Sequence, residues 1–175
     1  MNQNKFQLNH DPLSVNDDIV TIRIGHSPDP DDAFMFHALT NGAIDTGNRR
    51  YEHILVDIDT LNREAEIGNF EVSAVSIHSY PKISDSYYLM NCGASMGEGY
   101  GPILISKEEM SVEEASRSVI AIPGKSTSSY LALVLALGEV DVVEVPFDQI
   151  LPGVLDGKYD SGVCLLYTSP SPRDI

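Results

Sequence analysis

Three clusters of polar residues in this sequence have the types and spacing that small-ligand sites use. The first is HSPDPDDAF, residues 26–34, in which Asp29, Asp31 and Asp32 surround the start of a predicted helix. Carboxylates there are stabilised by the helix dipole, so these aspartates either cap the helix or line a ligand site. Paired carboxylates also suit a hard cation. The sequence clusters no further ligands beside Asp31 and Asp32, and we predict no metal site.

The second cluster is PGKSTSSY, residues 123–130, which leads into a predicted helix. Thr127, Ser128 and Ser129 offer hydroxyls and free N–H groups at the helix start, which suits a carboxylate or phosphate. The same residues have a second interpretation as simple helix caps. A nucleotide-binding P-loop is excluded, because Val119 stands where the motif GxxxxGK[ST] needs its first glycine.

The third cluster is SAVSIHSY, residues 73–80, at the end of a predicted buried strand. Ser76 and His78 would lie on the same side of that strand if it is regular. His78 then has two interpretations, a general base near neutral pH or a hydrogen-bonded structural histidine.

The elements around these clusters alternate between strand and helix patterns. Apolar residues at every second position predict the first strand over residues 19–25. Further strand patterns lie at 51–58, 71–80, 102–107, 119–122 and 142–147, and helix patterns at 30–41, 60–68, 112–116, 131–137 and 147–157. The alternation predicts an α/β fold with largely parallel sheets. The segment 26–34 would then follow a strand at the edge where such folds bind ligands.

Helix capping signals and buried segments refine this prediction. Asp29 and Asp59 are expected to cap the first two helices, and Ser111 with Glu114 forms a capping-box sequence. The apolar segment from Tyr130 to Leu137 is expected to be a buried helix, because it is far shorter than a membrane span.

Composition restricts the partners and the location. The chain has 26 acidic and 11 basic residues and a formal charge of -15, which disfavours nucleic acid and anionic membrane surfaces. Residues 1–18 are polar, predict a flexible leader and carry no secretory signal, so a cytoplasmic location is expected. Cys92 and Cys164 lack disulfide-framework or zinc spacing and are expected to be buried thiols.

Six segments, in order, resemble the 1,4-dihydroxy-6-naphthoate synthase family and, more distantly, chorismate dehydratase. They are GHSPDPDDAFMFHAL, LVDIDTLNREAEIG, VSAVSIHSYP, GASMGEGYGP, IPGKSTSSYLAL and VPFDQILPGVLDGKYDSG. The resemblance covers residues 19–163. It implies the periplasmic-binding-protein-like (type II) fold, in which two α/β lobes clamp a small-molecule substrate. It also implies a carbon-carbon lyase that converts cyclic dehypoxanthinylfutalosine into 1,4-dihydroxy-6-naphthoate and dihydroxyacetone in menaquinone biosynthesis, without metal or organic cofactor.

The same resemblance assigns residues to the site. It implies substrate contacts at the strand-end residues 74–76 and at the helix start. These are Ala74, Val75, Ser76, Ser128 and Ser129. Asp31, Asp32, Thr127 and His78 are the further candidates for the cleft, and Asp31 stands where the family often has asparagine.

The end of the sequence departs from the family. CLLYTSPSPRDI resembles translated sequencing-adapter DNA, so we expect a leader at 1–18, a first lobe at 19–103, a partial second lobe at 104–163 and a non-native tail at 164–175. The histidine that serves as the family's catalytic base would fall at Leu166, and a leucine side chain cannot accept a proton. The resemblance thus predicts an active parent enzyme and an inactive fragment. A non-catalytic binding protein of the same fold and chorismate dehydratase are the alternatives.

Overall fold

The computed structural model describes residues 19–97, 99 and 101–164, and strands and helices alternate along this part of the chain, as predicted. In the first half are β1 (Val20–His26), α1 (Pro30–Thr40), β2 (Arg49–Leu55), α2 (Ile58–Glu66), β3 (Val72–Ser73) and α3 (Tyr80–Ile83). In the second half are β4 (Ile103–Ser106), α4 (Val112–Ala115), β5 (Ile120–Ile122), α5 (Ser128–Leu137), β6 (Val142–Glu144), α6 (Phe147–Leu155) and β7 (Ser161–Cys164).

The strands form two sheets, one in each half of the chain. The first has the order β2-β1-β3 and is parallel throughout, with Ile24 opposite both His53 and Val72. The second has the order β4-β7-β5-β6 and is parallel except for the antiparallel pair β4 and β7. The prediction of largely parallel sheets is therefore confirmed. The loops after β1, β3 and β5 leave the carboxyl ends of their sheets, the edge where α/β folds bind ligands.

The third predicted strand is much shorter than expected. β3 contains only Val72 and Ser73, and the chain leaves the sheet at Ala74, whose N–H donates to the Gly25 carbonyl at 2.8 Å. A turn follows, in which the Ser79 N–H donates to the Ser76 carbonyl at 2.9 Å. The expectation that Ser76 and His78 share one face of a strand is thus wrong, because turn hydrogen bonds replace the ladder there.

Helix capping follows the sequence signals in part. Ser111 and Glu114 form both bonds of the capping box. Asp29 is at the N-cap position of α1, but its side chain makes no capping bond in the described structure and accepts from the Ser27 hydroxyl at 2.6 Å instead. The second helix is capped by Asp57, not Asp59 as predicted, because β2 ends at Leu55 and the helix begins at Ile58.

Two burial predictions are also wrong. In α5 only Ser129 and Leu133 are buried, and Leu135 is 77% exposed. One face of this helix packs on the second sheet against Ile120, Ile122 and Val163, whereas the other faces outward. Cys92 is exposed.

The first core fixes the orientation of α2 on β1. A Cβ at Gly25 would lie 2.7 Å from Leu61 Cδ2, so only glycine allows the helix to approach the strand this closely. Leu61 and Ala65 are buried, and burying a leucine side chain stabilises a fold by about 1.5–3 kcal/mol. On the same helix face lies Asn62, a polar residue that is fully buried.

Candidate functional site

The loop after β1 is closed by one of the predicted aspartates. Asp32 is buried, and its Oδ2 accepts from the Ser27 N–H at 2.7 Å. Burial raises the pKa of this carboxyl, and the bond from Ser27 opposes that effect. Asp31, one position earlier, is exposed. Asp32 therefore stabilises the loop, and among the described residues no group of three His, Cys, Asp or Glu side chains could hold a metal ion.

A histidine pair lies beside this loop. His26 Nδ1 donates to the Ser27 carbonyl at 3.0 Å, and with both rings neutral His26 Nε2 accepts from His53 Nδ1 at 3.0 Å. This leaves a lone pair on His53 Nε2, which is buried without a hydrogen-bond partner in the described part of the chain. Burial, followed by the neighbouring His26, lowers the pKa of His53. Phe36 packs on both rings, with centroids 4.4 Å from His26 and 5.7 Å from His53.

The loop after β3 is held by Asn62. The Ser76 N–H donates to Asn62 Oδ1 at 2.8 Å, and Asn62 Nδ2 donates to Ser76 Oγ at 3.1 Å. Ser76 is buried, while Ala74 and Val75 are half-buried. Three predicted contact residues therefore lie on one loop, anchored by a residue that sequence reasoning did not select.

At the start of α5, Thr127 organises the first turn. Its hydroxyl donates to the Gly124 carbonyl at 2.7 Å, so it accepts from Ser129 Oγ at 2.9 Å and from the Tyr130 N–H at 3.3 Å. Thr127 is thus a helix cap. The N–H groups of Ser128 and Ser129 belong to the first helical turn and have no intrahelical acceptor. They form the positive end of the helix, which suits an anionic ligand group.

Hydrogen bonds from α2, α3 and the loop after β3 join the first half of the chain to the start of α5. Asn62 Nδ2 donates to the Ser126 carbonyl at 3.3 Å, and Lys82 Nζ donates to Ser126 Oγ at 2.9 Å. His78 Nδ1 donates to the Thr127 carbonyl at 3.1 Å, which leaves Nε2 as its lone-pair nitrogen. The structure therefore brings Ser76, His78 and Thr127 into one region.

Asp59 on α2 also lies close to the loop after β5. A Cβ at Gly124 would lie 1.8 Å from Asp59 Oδ1, so the carboxylate occupies the space that a side chain would fill. Burial raises the pKa of Asp59, and Arg63, with Nη2 3.4 Å from Oδ2, opposes this. Asn62 lies three positions further along α2. A polar residue within the apolar spacing of Leu61 and Ala65 was the sequence signal for it, since buried amides need partners.

Two α/β units whose loops meet at the carboxyl ends of their sheets define a protein of the periplasmic-binding-protein-like (type II) fold. Solved structures share this fold. An alkanesulfonate-binding protein from Xanthomonas axonopodis has a TM-score of 0.62 at 11% identity, with 85% of this chain and 55% of that one covered, and shows the fold alone. The chain belongs to the menaquinone biosynthesis family, whose sequence model matches residues 22–165.

Individual relatives show which member of this family the chain resembles. A 1,4-dihydroxy-6-naphthoate synthase from Thermus thermophilus is 33% identical over 144 residues, covering 82% of this chain and 52% of that protein. One from Streptomyces coelicolor is 32% identical over 151 residues, covering 83% and 52%. A crystal structure of an Archaeoglobus fulgidus protein has a TM-score of 0.77 at 44% identity, covering 83% and 53%. The chain thus spans about half the length of the curated relatives it matches.

These findings confirm the family resemblance and the fold predicted from sequence. The position of the family's histidine, Leu166, lies outside the described residues. Among the helices that the structure describes, none has the length and apolar character to cross a membrane.

Proposed function

We propose that the protein to which this sequence belongs is a carbon-carbon lyase that converts cyclic dehypoxanthinylfutalosine into 1,4-dihydroxy-6-naphthoate and dihydroxyacetone. The observation that carries the proposal is the meeting of the loop after β3 with the start of α5, through the bond from His78 to the Thr127 carbonyl. The names of the curated relatives support it. A biosynthetic role also supports a cytoplasmic location.

The start of α5 suits the charge of the proposed product. A naphthoate carries a carboxylate, and the N–H groups of Ser128 and Ser129 are the first-turn donors that helices direct at anions. The loop with Ala74, Val75 and Ser76 would contact the substrate from the other side. Asp31 is exposed and Asp32 bonds to Ser27, so we assign these two aspartates to the rim of the cleft.

The lyase needs a base, and the family resemblance implies a histidine at the position of Leu166. Sequencing the complete reading frame is therefore the first experiment. We expect it to encode a histidine in that segment and a further part of the second lobe. Protein expressed from it should release dihydroxyacetone from the cyclic substrate. Binding without turnover would instead support a binding protein, and turnover of chorismate would support the dehydratase.

The anion-binding role of α5 has a sharper test in the substitution Ser128→Pro. Ser128 is the first residue of the helix, where proline is tolerated. The substitution removes an N–H without a helical partner and also the Ser128 hydroxyl, so Ser128→Ala, which removes the hydroxyl alone, is measured beside it. Thr127 already has the extended conformation that a following proline requires, with φ -82° and ψ 152°. Because hydrogen bonds to charged groups contribute about 1.5–3 kcal/mol, we expect the product to bind at least tenfold more weakly.

The matched control is Val112→Pro. Val112 is the first residue of α4, is 71% exposed, and follows Ser111 in the same extended conformation. It tests the effect of proline at a helix start far from the proposed site. Equal product affinity in both variants and the unsubstituted protein would contradict a role for the α5 N-terminus.

A further inference from the structure

Asn62 uses its whole side-chain amide in one hydrogen-bond network. It is fully buried, with Oδ1 accepting from the Ser76 N–H at 2.8 Å. Its Nδ2 donates to Ser76 Oγ at 3.1 Å and to the Ser126 carbonyl at 3.3 Å. The N–H of Ser76 requires an acceptor opposite it, which fixes the orientation of the amide.

The partners of Asn62 lie on two different loops. Ser76 follows β3 of the first sheet, and Ser126 precedes the N-cap Thr127 of α5 on the second. One side chain on α2 therefore spans the two loops that the proposed function assigns to the substrate. A buried polar network of this kind is costly to disturb, because a lost partner leaves other groups unsatisfied.

The neighbouring contacts do not duplicate this geometry. His78 lies on the first loop and links it to the second by one bond to the Thr127 carbonyl, and Lys82 on α3 bonds to the Ser126 hydroxyl of the second loop. Lys82 is also about half exposed, with 54% of its side chain accessible. Among these three residues, Asn62 alone has side-chain bonds to both loops.

We propose that Asn62 is a positioning residue that sets the separation of the Ser76 loop and the start of α5, so that both engage one substrate. The inference rests on the proposed function for its catalytic consequence only. Asn62 itself touches neither a substrate nor a base in this assignment. It acts through Ser76 and the carbonyl of Ser126.

The decisive substitution is Asn62→Asp, made in protein from the complete reading frame. The new carboxylate keeps an acceptor for the Ser76 N–H but loses the two N–H donors of the amide. Its second oxygen then faces the Ser126 carbonyl oxygen, and the two negatively charged atoms repel each other. We expect kcat/KM for the cyclic substrate to fall at least tenfold at neutral pH. Asn48→Asp is the control, because it makes the same charge change at an exposed asparagine.

A pH profile separates positioning from general damage. A protonated aspartic acid regains one donor, and burial favours the protonated form. The ratio of Asn62→Asp to control activity should therefore rise as the pH falls. Unchanged activity at neutral pH, or a loss that acid does not relieve, would each overturn the proposal.

A second variant covers the case in which Asn62→Asp does not fold. Asn62→Ser adds no charge, and its hydroxyl is too short to reach the Ser126 carbonyl. We expect it to fold cooperatively and to lose at least tenfold in kcat/KM. Activity equal to that of the unsubstituted protein would overturn the proposal.

Amide hydrogen exchange tests the positioning independently of any substrate. Loss of the Asn62 bridge should accelerate exchange in residues 75–77 and 126–130 together. Acceleration confined to the first segment would overturn the bridging role, even if turnover confirmed the proposed function. If the protein does not turn over the cyclic substrate but both segments respond, the proposed function fails and the bridge stands.

Discussion

The contact between Asp59 and Gly124 predicts a specific coupling between the two halves of the chain. In the substitution Gly124→Ala, the added methyl group would lie 1.8 Å from Asp59 Oδ1 and 2.4 Å from Asp59 Cγ. The backbone at Gly124 does not require a positive φ, so the cost is steric. Either the carboxylate moves or the loop withdraws from α2.

The overlapping atoms determine how much Gly124→Ala destabilises the fold. Overpacking a well-packed site costs about 1–3 kcal/mol, and Gly124→Ala should destabilise by this amount. With Asp59→Ala as background, the nearest remaining atom is the Cβ of residue 59 at 3.1 Å, which a small shift accommodates. The pair with Arg63 that Asp59→Ala removes is an i,i+4 contact on α2, and such pairs contribute only about 0.2–0.5 kcal/mol. We therefore expect a coupling free energy of about 1–2 kcal/mol.

Urea unfolding of the four proteins in this cycle measures the coupling. For a slope of about 2 kcal/mol/M, a destabilisation of about 2 kcal/mol lowers the midpoint by roughly 1 M. Gly101→Ala is the control, because nothing lies within 4 Å of a Cβ at that position, and it should leave the midpoint equal or slightly higher. If Gly124→Ala costs the same with and without Asp59, the close approach of α2 to this loop is refuted.

Three further predictions concern titration and capping. The Arg23 hydrogen bond lowers the pKa of Glu71 to about 2 from 4.5. The stabilisation from this pair is therefore complete above the unfolded pKa of Glu71 and is lost as the pH falls toward 2. Glu71→Gln should remove this dependence in acid titrations of unfolding. The lowered pKa of His53 makes the unfolded chain bind more protons below pH 6.5. Stability should therefore fall as the pH falls through this range, by at most about 1.4 kcal/mol per unit, and His53→Gln should flatten the profile. Asp57→Ala should lower the free energy of unfolding by about 1 kcal/mol, as loss of an N-cap does.

Each of these three has a contradicting result. A Glu71→Gln profile parallel to that of the unsubstituted protein would show that the pair with Arg23 does not persist in solution. An unchanged pH profile in His53→Gln would assign the pH dependence to other groups. A larger loss for Asp59→Ala than for Asp57→Ala would return the cap of α2 to the residue that the sequence pattern favoured.

The sequence predicted the elements better than their junctions. A period-two apolar pattern located β1, the apolar run at residues 119–122 located β5, and the capping box at Ser111 was correct in both bonds. The errors lie where local chemistry competes with a pattern. Two aspartates separated by one residue, Asp57 and Asp59, are both plausible caps, and only the end of β2 decides between them. The β-branched run after Ser73 is strand-like, but turn bonds to Ser76 end the ladder.

The sequence predicted which segments form the candidate site, but not how their side chains contact one another. The serines of residues 126–129 and the loop with Ser76 were found because their residue types suit ligands. Asn62 and Asp59 were missed, because their importance depends on contacts with residues more than sixty positions away, such as the bond from Asn62 to Ser126. Periodicity within α2 would have revealed a buried asparagine, but no local pattern names its partners.

The chemistry of the contact between the halves bears on how a substrate would enter. The bonds from Asn62, His78 and Lys82 are polar and end on one short segment, Ser126 and Thr127. Each such bond contributes a net of about 0.5–1.5 kcal/mol, so the three together stabilise this contact between the halves by roughly 2–4 kcal/mol. A gap of a few kcal/mol leaves about 0.1–10% of molecules in the minor state. If the two halves separate to admit a substrate, a ligand that contacts both loops would shift the population toward the arrangement in which these bonds are formed.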